Sequence, residues 1–301
     1  MAELRLRGMF PAFPTPLLTD GTLDDGALER LVEHQIGKGA AGLVPVGGTG
    51  EANSLSAQMR RRMLEVTVAA AAGRVPILAG VLDPGLGGAL DSAELYRKAG
   101  ADALMVIPPY YARPDQAAVR RYFQALINEV KLPIVLYDNP YRAHISVAPD
   151  MIAAMADERL IVGMKASNTD LYHFDHVAQR VSPEFGLLSG QDTLFVEQVL
   201  LGAKGGVLTS ACLIPNYWNA IQSDVENGRV AEALAAQRRL YPFLDALFAE
   251  EFPAGVRAAF AMLGLPIGKG MAPVGTFSAA ASAKLEAAIS DLLSAGVLQR
   301  L

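Results

Sequence analysis

Cysteine is nearly absent from this 301-residue chain. Cys212 is the only one, which excludes an intrachain disulfide and a cysteine zinc cluster and fits a reducing compartment. Long apolar runs are missing too, and none approaches the roughly 20 residues that a membrane-spanning helix needs. The opening stretch Met1-Ala2-Glu3-Leu4-Arg5-Leu6-Arg7 alternates charge with apolar side chains and lacks the continuous apolar segment of a signal peptide. A cytoplasmic protein is expected. Basic charge is sparse: 26 Lys and Arg stand against 31 Asp and Glu, for a net charge of −5. The one dense basic run, Arg60-Arg61-Arg62, lies in a helical pattern, where adjacent residues point in three directions. Neither nucleic acid nor a membrane surface is an expected partner. No glycine fingerprint for a dinucleotide follows the first strand pattern, and no linker rich in Pro, Ser or Gly divides the chain.

What is present is apolar and periodic. Half the residues are hydrophobic, 51%, enough for a sizeable core. Met9 to Pro14 reads as a first short strand. Asp24 then caps a helix through Leu28, Leu31, Val32 and Ile36 to Lys38, and Gly39 stops it. Short apolar segments recur at 42–46, 75–81, 103–107, 132–137, 160–165, 186–189 and 206–209. Amphipathic helical segments lie between them, such as 56–72, 89–98, 114–130, 148–156, 172–180 and 194–201. Gly85, Gly87 and Gly88 are expected to form a flexible loop after Asp83-Pro84. Eight strand patterns alternating with helices imply a parallel sheet and fit a closed (β/α)₈ TIM barrel over residues 1–225. An open doubly wound sheet is the alternative. Residues 226–301 form a C-terminal helical extension, with helices expected at 230–249, 252–263 and 278–295, covering a barrel face or building an oligomer interface.

The residue least at home in its pattern is Lys165, which ends the apolar run Leu160-Ile161-Val162-Gly163-Met164. A buried lysine must reach solvent, find a partner or give up its proton. It is either a strand-end lysine snorkelling outward or a desolvated amine used as a nucleophile toward a carbonyl. Active sites of such barrels sit at the carboxyl ends of the strands, and those ends form a set. Gly47-Gly48-Thr49-Gly50-Glu51 has the composition of a backbone nest for an anion, or of a tight turn. Tyr137 ends the preceding strand, where a hydroxyl can shuttle protons or merely stay wet. Arg142 offers a fork for a second carboxylate, or a surface ion pair. A nest for a carboxylate beside a lysine for the adjacent carbonyl suits a 2-oxo acid. His173 and His176 are spaced like helix-borne ligands, but no third ligand accompanies them and no metal site is expected.

In order and spacing, Gly-x-Thr-Gly-Glu, Pro108-Pro109-Tyr110-Tyr111, Tyr-x-x-Pro at Tyr137 and Gly163-Met164-Lys165 resemble the dihydrodipicolinate synthase and N-acetylneuraminate lyase family. The resemblance spans about Gly8 to Ile214 and also accounts for the helical extension. It implies a class I Schiff-base lyase without metal or organic cofactor, acting on pyruvate or a related small 2-oxo acid, and commonly a homotetramer, with a dimer as the smaller option. It assigns Lys165 to the Schiff base, Thr49 and the amides around Gly48 to the carboxylate, and Tyr137 to proton relay. Tyr111 would reach into a neighbouring subunit's site, Val207 would offer a carbonyl near the imine, and Arg142 would bind the second substrate's carboxylate. The sequence departs from the family at Gly48, where a hydroxyl residue is usual, and at Asp138 and Asn139. Gly-Gly-Thr-Gly-Glu is similar to the sugar-acid dehydratase branch, whereas Arg142 is similar to the synthase branch. A keto-deoxy sugar-acid dehydratase or pyruvate-releasing aldolase, and a non-catalytic barrel that binds a 2-oxo acid, remain alternatives.

Overall fold

The structure is a computed structural model and describes residues 4–301; Met1, Ala2 and Glu3 of the alternating opening stretch lie outside the described residues. Among the described residues, seven parallel strands form one sheet: β1 (Gly8–Met9), β2 (Leu78–Val81), β3 (Ala103–Val106), β4 (Ile134–Asp138), β5 (Gly163–Ala166), β6 (Gly186–Ser189) and β7 (Gly205–Gly206). Their order is β1-β7-β6-β5-β4-β3-β2. Between β1 and β2 the ring is closed by the segment expected as the second strand, which is reduced to two bridges, Ala12 to Val44 and Leu43 to Ile77. Prolines explain the reduction. Pro45 has no N–H to donate to a ladder, and the neighbouring Pro11 and Pro76 serve only as acceptors, taking the Val44 and Leu43 N–H groups at 3.0 Å each.

The helices follow the strands: α1 (Asp25–Gly37), α2 (Ala57–Ala71), α3 (Leu86–Lys98), α4 (Gln116–Val130), α5 (Pro140–Ala143), α6 (Pro149–Asp157), α7 (Leu171–Ala178), α8 (Phe195–Leu200) and α9 (Pro215–Glu226). Side chains of Asp24, Ser56, Asp115 and Asp170 each accept a backbone N–H from the first turn of the helix that follows, each worth about 1 kcal/mol. Arg60, Arg61 and Arg62 diverge as the helical period requires, to Ser92 and Tyr96, to Glu65 and to Asp25 respectively. The glycines at 87 and 88 are helical in α3 rather than looped. Gly88 lies where a Cβ would meet the Asp83 carboxylate at 3.1 Å, so close packing against the preceding turn outweighs the poor helix propensity of glycine. The extension adds α10 (Val230–Arg239), α11 (Tyr241–Leu247), α12 (Ala254–Met262) and α13 (Ala279–Ser294). The single helix expected over 230–249 is broken at Leu240, because Pro242 in the first turn of α11 cannot donate to the preceding turn. Among the described residues, no helix is long and apolar enough to cross a membrane.

Side chains alternate between two cores. Phe10, Val44, Leu78, Met105, Val135, Leu188 and Val207 fill the barrel interior, while Met9, Leu43, Ala79, Leu104, Leu136, Met164 and Leu208 face the helices. This period of two places Val135 and Tyr137 inward on β4. The register pairs Tyr137 with Lys165, and Lys165 with Leu188, so the lysine shares the inward face. At the opposite end Leu6 occupies the space left by two glycines: a Cβ at Gly186 would run into its side chain, and one at Gly163 would come within 2.7 Å of its Cδ1.

A buried ion pair ties the barrel to the extension. The Arg257 guanidinium on α12 pairs with the Glu51 carboxylate in the loop after the bridging segment, the Arg257 Nε–Glu51 Oε2 contact being 2.9 Å. Arg257 also donates to the Ile267 and Thr15 carbonyls at 3.0 and 2.9 Å, and Glu51 accepts the Met271 N–H at 2.8 Å. Removing one partner strands the other charge. Arg257→Met is expected to cost about 3–5 kcal/mol, and Glu51→Gln in the same background should restore much of it. Urea unfolding of the two variants checks this; a loss below about 1 kcal/mol in the single variant would show that the pair is not buried in solution.

Candidate active site

The carboxyl ends of the strands open into a cavity of about 600 Å³, whose walls include Gly48, Thr49, Tyr110, Tyr137, Asn139, Arg142, Lys165, Ser167 and Thr209. Phe252 and Val274 line it as well, so the extension forms part of the wall. Lys165 is 8% exposed, and its Nζ lies over the Tyr137 ring, 4.4 Å from the centroid. Contact of this kind with a desolvated cation is worth about 2 kcal/mol. The amine is not snorkelling to the outside; it opens onto the cavity.

Tyr137 is buried, and burial by itself would push its phenol up. The Lys165 charge, the hydrogen bond from Asn139, the nearby Ser167 hydroxyl and the Arg142 charge outweigh that effect and leave the phenol below its ordinary range. The Thr49 hydroxyl is buried and lies 3.4 Å from the Thr209 hydroxyl. Gly48 is exposed to the cavity, and the space beyond its Cα is open. Arg142 lines the same cavity on α5 and has no carboxylate partner among the described residues.

Two residues expected at the site stand apart from this group. Tyr111 is 89% exposed and is not in the cavity wall, whereas its neighbour Tyr110 is, with its hydroxyl donating to the Leu82 carbonyl at 3.2 Å. Val207 is buried in the barrel interior, its N–H donating to Ser189 O at 2.8 Å. His173 is only partly exposed; its Nε2 lies 2.8 Å from the Val147 carbonyl, a structural contact rather than a ligand position.

Several supports were invisible in the sequence. Asp192 is buried and accepts from Ser210 N at 2.9 Å and from the Ser210 hydroxyl at 2.5 Å, while Trp218 Nε1 donates to that hydroxyl at 2.9 Å. Burial raises the Asp192 carboxyl; the Ser210 and Thr209 hydrogen bonds and the Lys165 charge oppose it. Asp138 is raised by burial against the pull of His173, the Val147 N–H and Asn168, and its backbone carbonyl accepts the Ser167 N–H at 2.8 Å. A signal did exist for Arg257: it is the one charged residue in the otherwise apolar Ala-Gly-Val-Arg-Ala-Ala-Phe-Ala-Met of α12.

A parallel barrel with a lysine buried at the carboxyl end of one strand, facing a tyrosine and a glycine-rich loop, is the architecture of the Schiff-base-forming barrel lyases. The chain belongs to the dihydrodipicolinate synthetase family, whose model matches residues 5–292, and it is a lyase that takes a small-molecule substrate. It is 35% identical over 284 residues to the 4-hydroxy-tetrahydrodipicolinate synthase of Chelativorans sp. (strain BNC1), covering 94% of this chain and 97% of that one. It is 34% identical over 285 residues to the synthase of Acidiphilium cryptum (strain JF-5), covering 95% and 98%. The solved 4-hydroxy-tetrahydrodipicolinate synthase of Methylacidiphilum fumariolicum SolV has the same fold, with a TM-score of 0.91 at 30% identity over 97% of this chain and 98% of that one.

The glycine loop makes a graded prediction. Gly48→Ser meets no atom within 4 Å of the new Cβ, whereas a Cβ at Gly50 would sit 3.0 Å from the Pro45 carbonyl. Gly48→Ser is expected to unfold within about 0.5 kcal/mol of the unsubstituted protein, and Gly50→Ala to lose about 1–3 kcal/mol. Chemical denaturation of both variants reads the difference, and equal stabilities would contradict the loop geometry.

Proposed function

We propose that this chain is a 4-hydroxy-tetrahydrodipicolinate synthase-type enzyme in which Lys165 forms a Schiff base with pyruvate or a related 2-oxo acid. The observation that carries the reading is the Lys165 amine held at the Tyr137 ring inside a cavity that Gly48 and Thr49 of the glycine loop also line. The amine adds to the C2 carbonyl, the carbonyl oxygen takes up a proton, and loss of water leaves an iminium. A C3 proton then departs, its electron pair flows into the iminium, and the resulting enamine attacks an aldehyde carbon. Tyr137 carries protons to and from the nitrogen and oxygen at this centre. The Thr49 hydroxyl and the amides around Gly48 hold the substrate carboxylate, Arg142 meets a carboxylate of the second reactant, and Val207, although its side chain is packed in the barrel interior, turns its backbone carbonyl to the imine. Tyr111, so fully exposed on one chain, completes the site of a neighbouring copy in a homo-oligomer working in the cytoplasm. The barrel of residues 1–225 carries the chemistry, and residues 226–301 finish the cavity wall.

The open space at Gly48 favours a second reading within the same mechanism: dehydration or retro-aldol cleavage of a keto-deoxy sugar acid, whose polyhydroxyl tail is bulkier than pyruvate. Loss of water from a sugar acid alone marks the first, and release of pyruvate marks the second.

Borohydride reduction in the presence of pyruvate, followed by intact mass and peptide mapping, tests the proposal. A stable adduct on the peptide containing Lys165 is expected, with labelling and turnover abolished in Lys165→Ala. If pyruvate and larger 2-oxo acids leave the folded protein unlabelled, Lys165 is not the nucleophile; undiminished binding of the acid by Lys165→Ala would instead point to a non-catalytic barrel.

A further inference from the structure

The turn after β4 places Asn139 directly against Tyr137. Its amide is buried, and its two ends are fixed by different partners. Oδ1 accepts the Arg142 N–H at 3.2 Å, capping α5, so Nδ2 faces the other way and donates to Tyr137 Oη at 2.8 Å. Turning the amide over would set its NH₂ against a backbone N–H, which settles the orientation. Ser167 stands beside the same phenol, but its hydroxyl proton goes to the Gly190 carbonyl at 3.1 Å. Gly48, across the cavity, brings no donor side chain. The charged and titratable groups that face Tyr137 are Lys165 from β5 and Arg142 from α5. Tyr110, His144 and Glu51 stand on the other walls, with Glu51 already paired to Arg257.

We propose that Asn139 is a positioning residue for Tyr137: by donating to the phenol oxygen it turns the phenol proton toward the cavity and holds the oxygen in place when that proton is passed on. This rests on the reading that Tyr137 exchanges protons at the Lys165 imine. A donor to the phenol oxygen favours the phenolate over the phenol, so its removal raises the pH at which Tyr137 releases its proton, whether the residue acts as acid or as base.

Two variants separate this role from capping. Asn139→Ser keeps an acceptor for the Arg142 N–H but is too short to reach the phenol. Asn139→Asp keeps the size and the cap and loses the donor. The readout is the rate at which the methyl protons of pyruvate exchange for deuterium, followed by NMR as a function of pH, with borohydride trapping in parallel. Both variants are expected to trap pyruvate on Lys165. The limb of the profile that disappears in Tyr137→Phe should move up by about one pH unit in Asn139→Ser, a roughly tenfold change on its flank, and further in Asn139→Asp. An unmoved limb with trapping intact, or a rate that falls equally at every pH, overturns the proposal and leaves the Lys165 assignment standing. Failure of the unsubstituted protein to trap pyruvate overturns that assignment and this inference with it.

Discussion

The buried Glu51–Arg257 pair is the constraint on which the rest of the structure depends. Two charges removed from water are tolerable only when their hydrogen-bonding capacity is met. Here Arg257 spans the Thr15 and Ile267 carbonyls while Glu51 also takes the Met271 N–H. One contact set therefore pins four separate parts of the chain: the segment after the first strand, the glycine loop, α12 and the stretch leading to Val274. Thr15 strengthens the junction by donating its hydroxyl to the Gly50 carbonyl at 2.6 Å. The loop that faces the cavity with Gly48 and Thr49 is thus held from behind by the helical extension. The extension does more than cover a barrel face, since its Arg257 backs the glycine loop from behind.

The same logic extends around the cavity mouth. Several inward groups have a fixed partner: Tyr137 has Asn139 and the Lys165 amine, Thr49 has Thr209, and Asp192 holds Ser210, which accepts from Trp218. Positions at the ends of rigid strands, locked by such second contacts, hold the cavity's side chains in one arrangement, the kind of fixed geometry that the proposed chemistry needs.

Much of this was legible in the sequence because its causes are local. The period of the apolar segments gave the strands and helices, residues such as Asp24 and Ser56 marked helix starts, and a lysine at the end of an aliphatic run was conspicuous for the charge it would bury. The segment at 42–46 was legible as a barrel stave but not as a broken one, although its proline held the reason. The remaining supports were not legible because they join distant positions. Nothing in a glycine-rich turn says that its glutamate will meet an arginine on a helix of the C-terminal extension. Asn139 was concealed differently. An asparagine before a proline reads as a turn residue, which it is through one end of its amide, while the other end serves Tyr137.

The floor of the barrel has a consequence of its own. With Leu6 seated against Gly163 and Gly186 and the interior filled above it by the side chains of the strands, the molecule is a cul-de-sac rather than a conduit. Reactants and products share one doorway. Under the proposed chemistry the 2-oxo acid must settle at the lysine before its partner arrives, because a partner already in the throat would bar the way. The condensed product, freed from the lysine by hydrolysis of the imine, leaves by the same route, and an ordered arrival follows from the shape of the vessel.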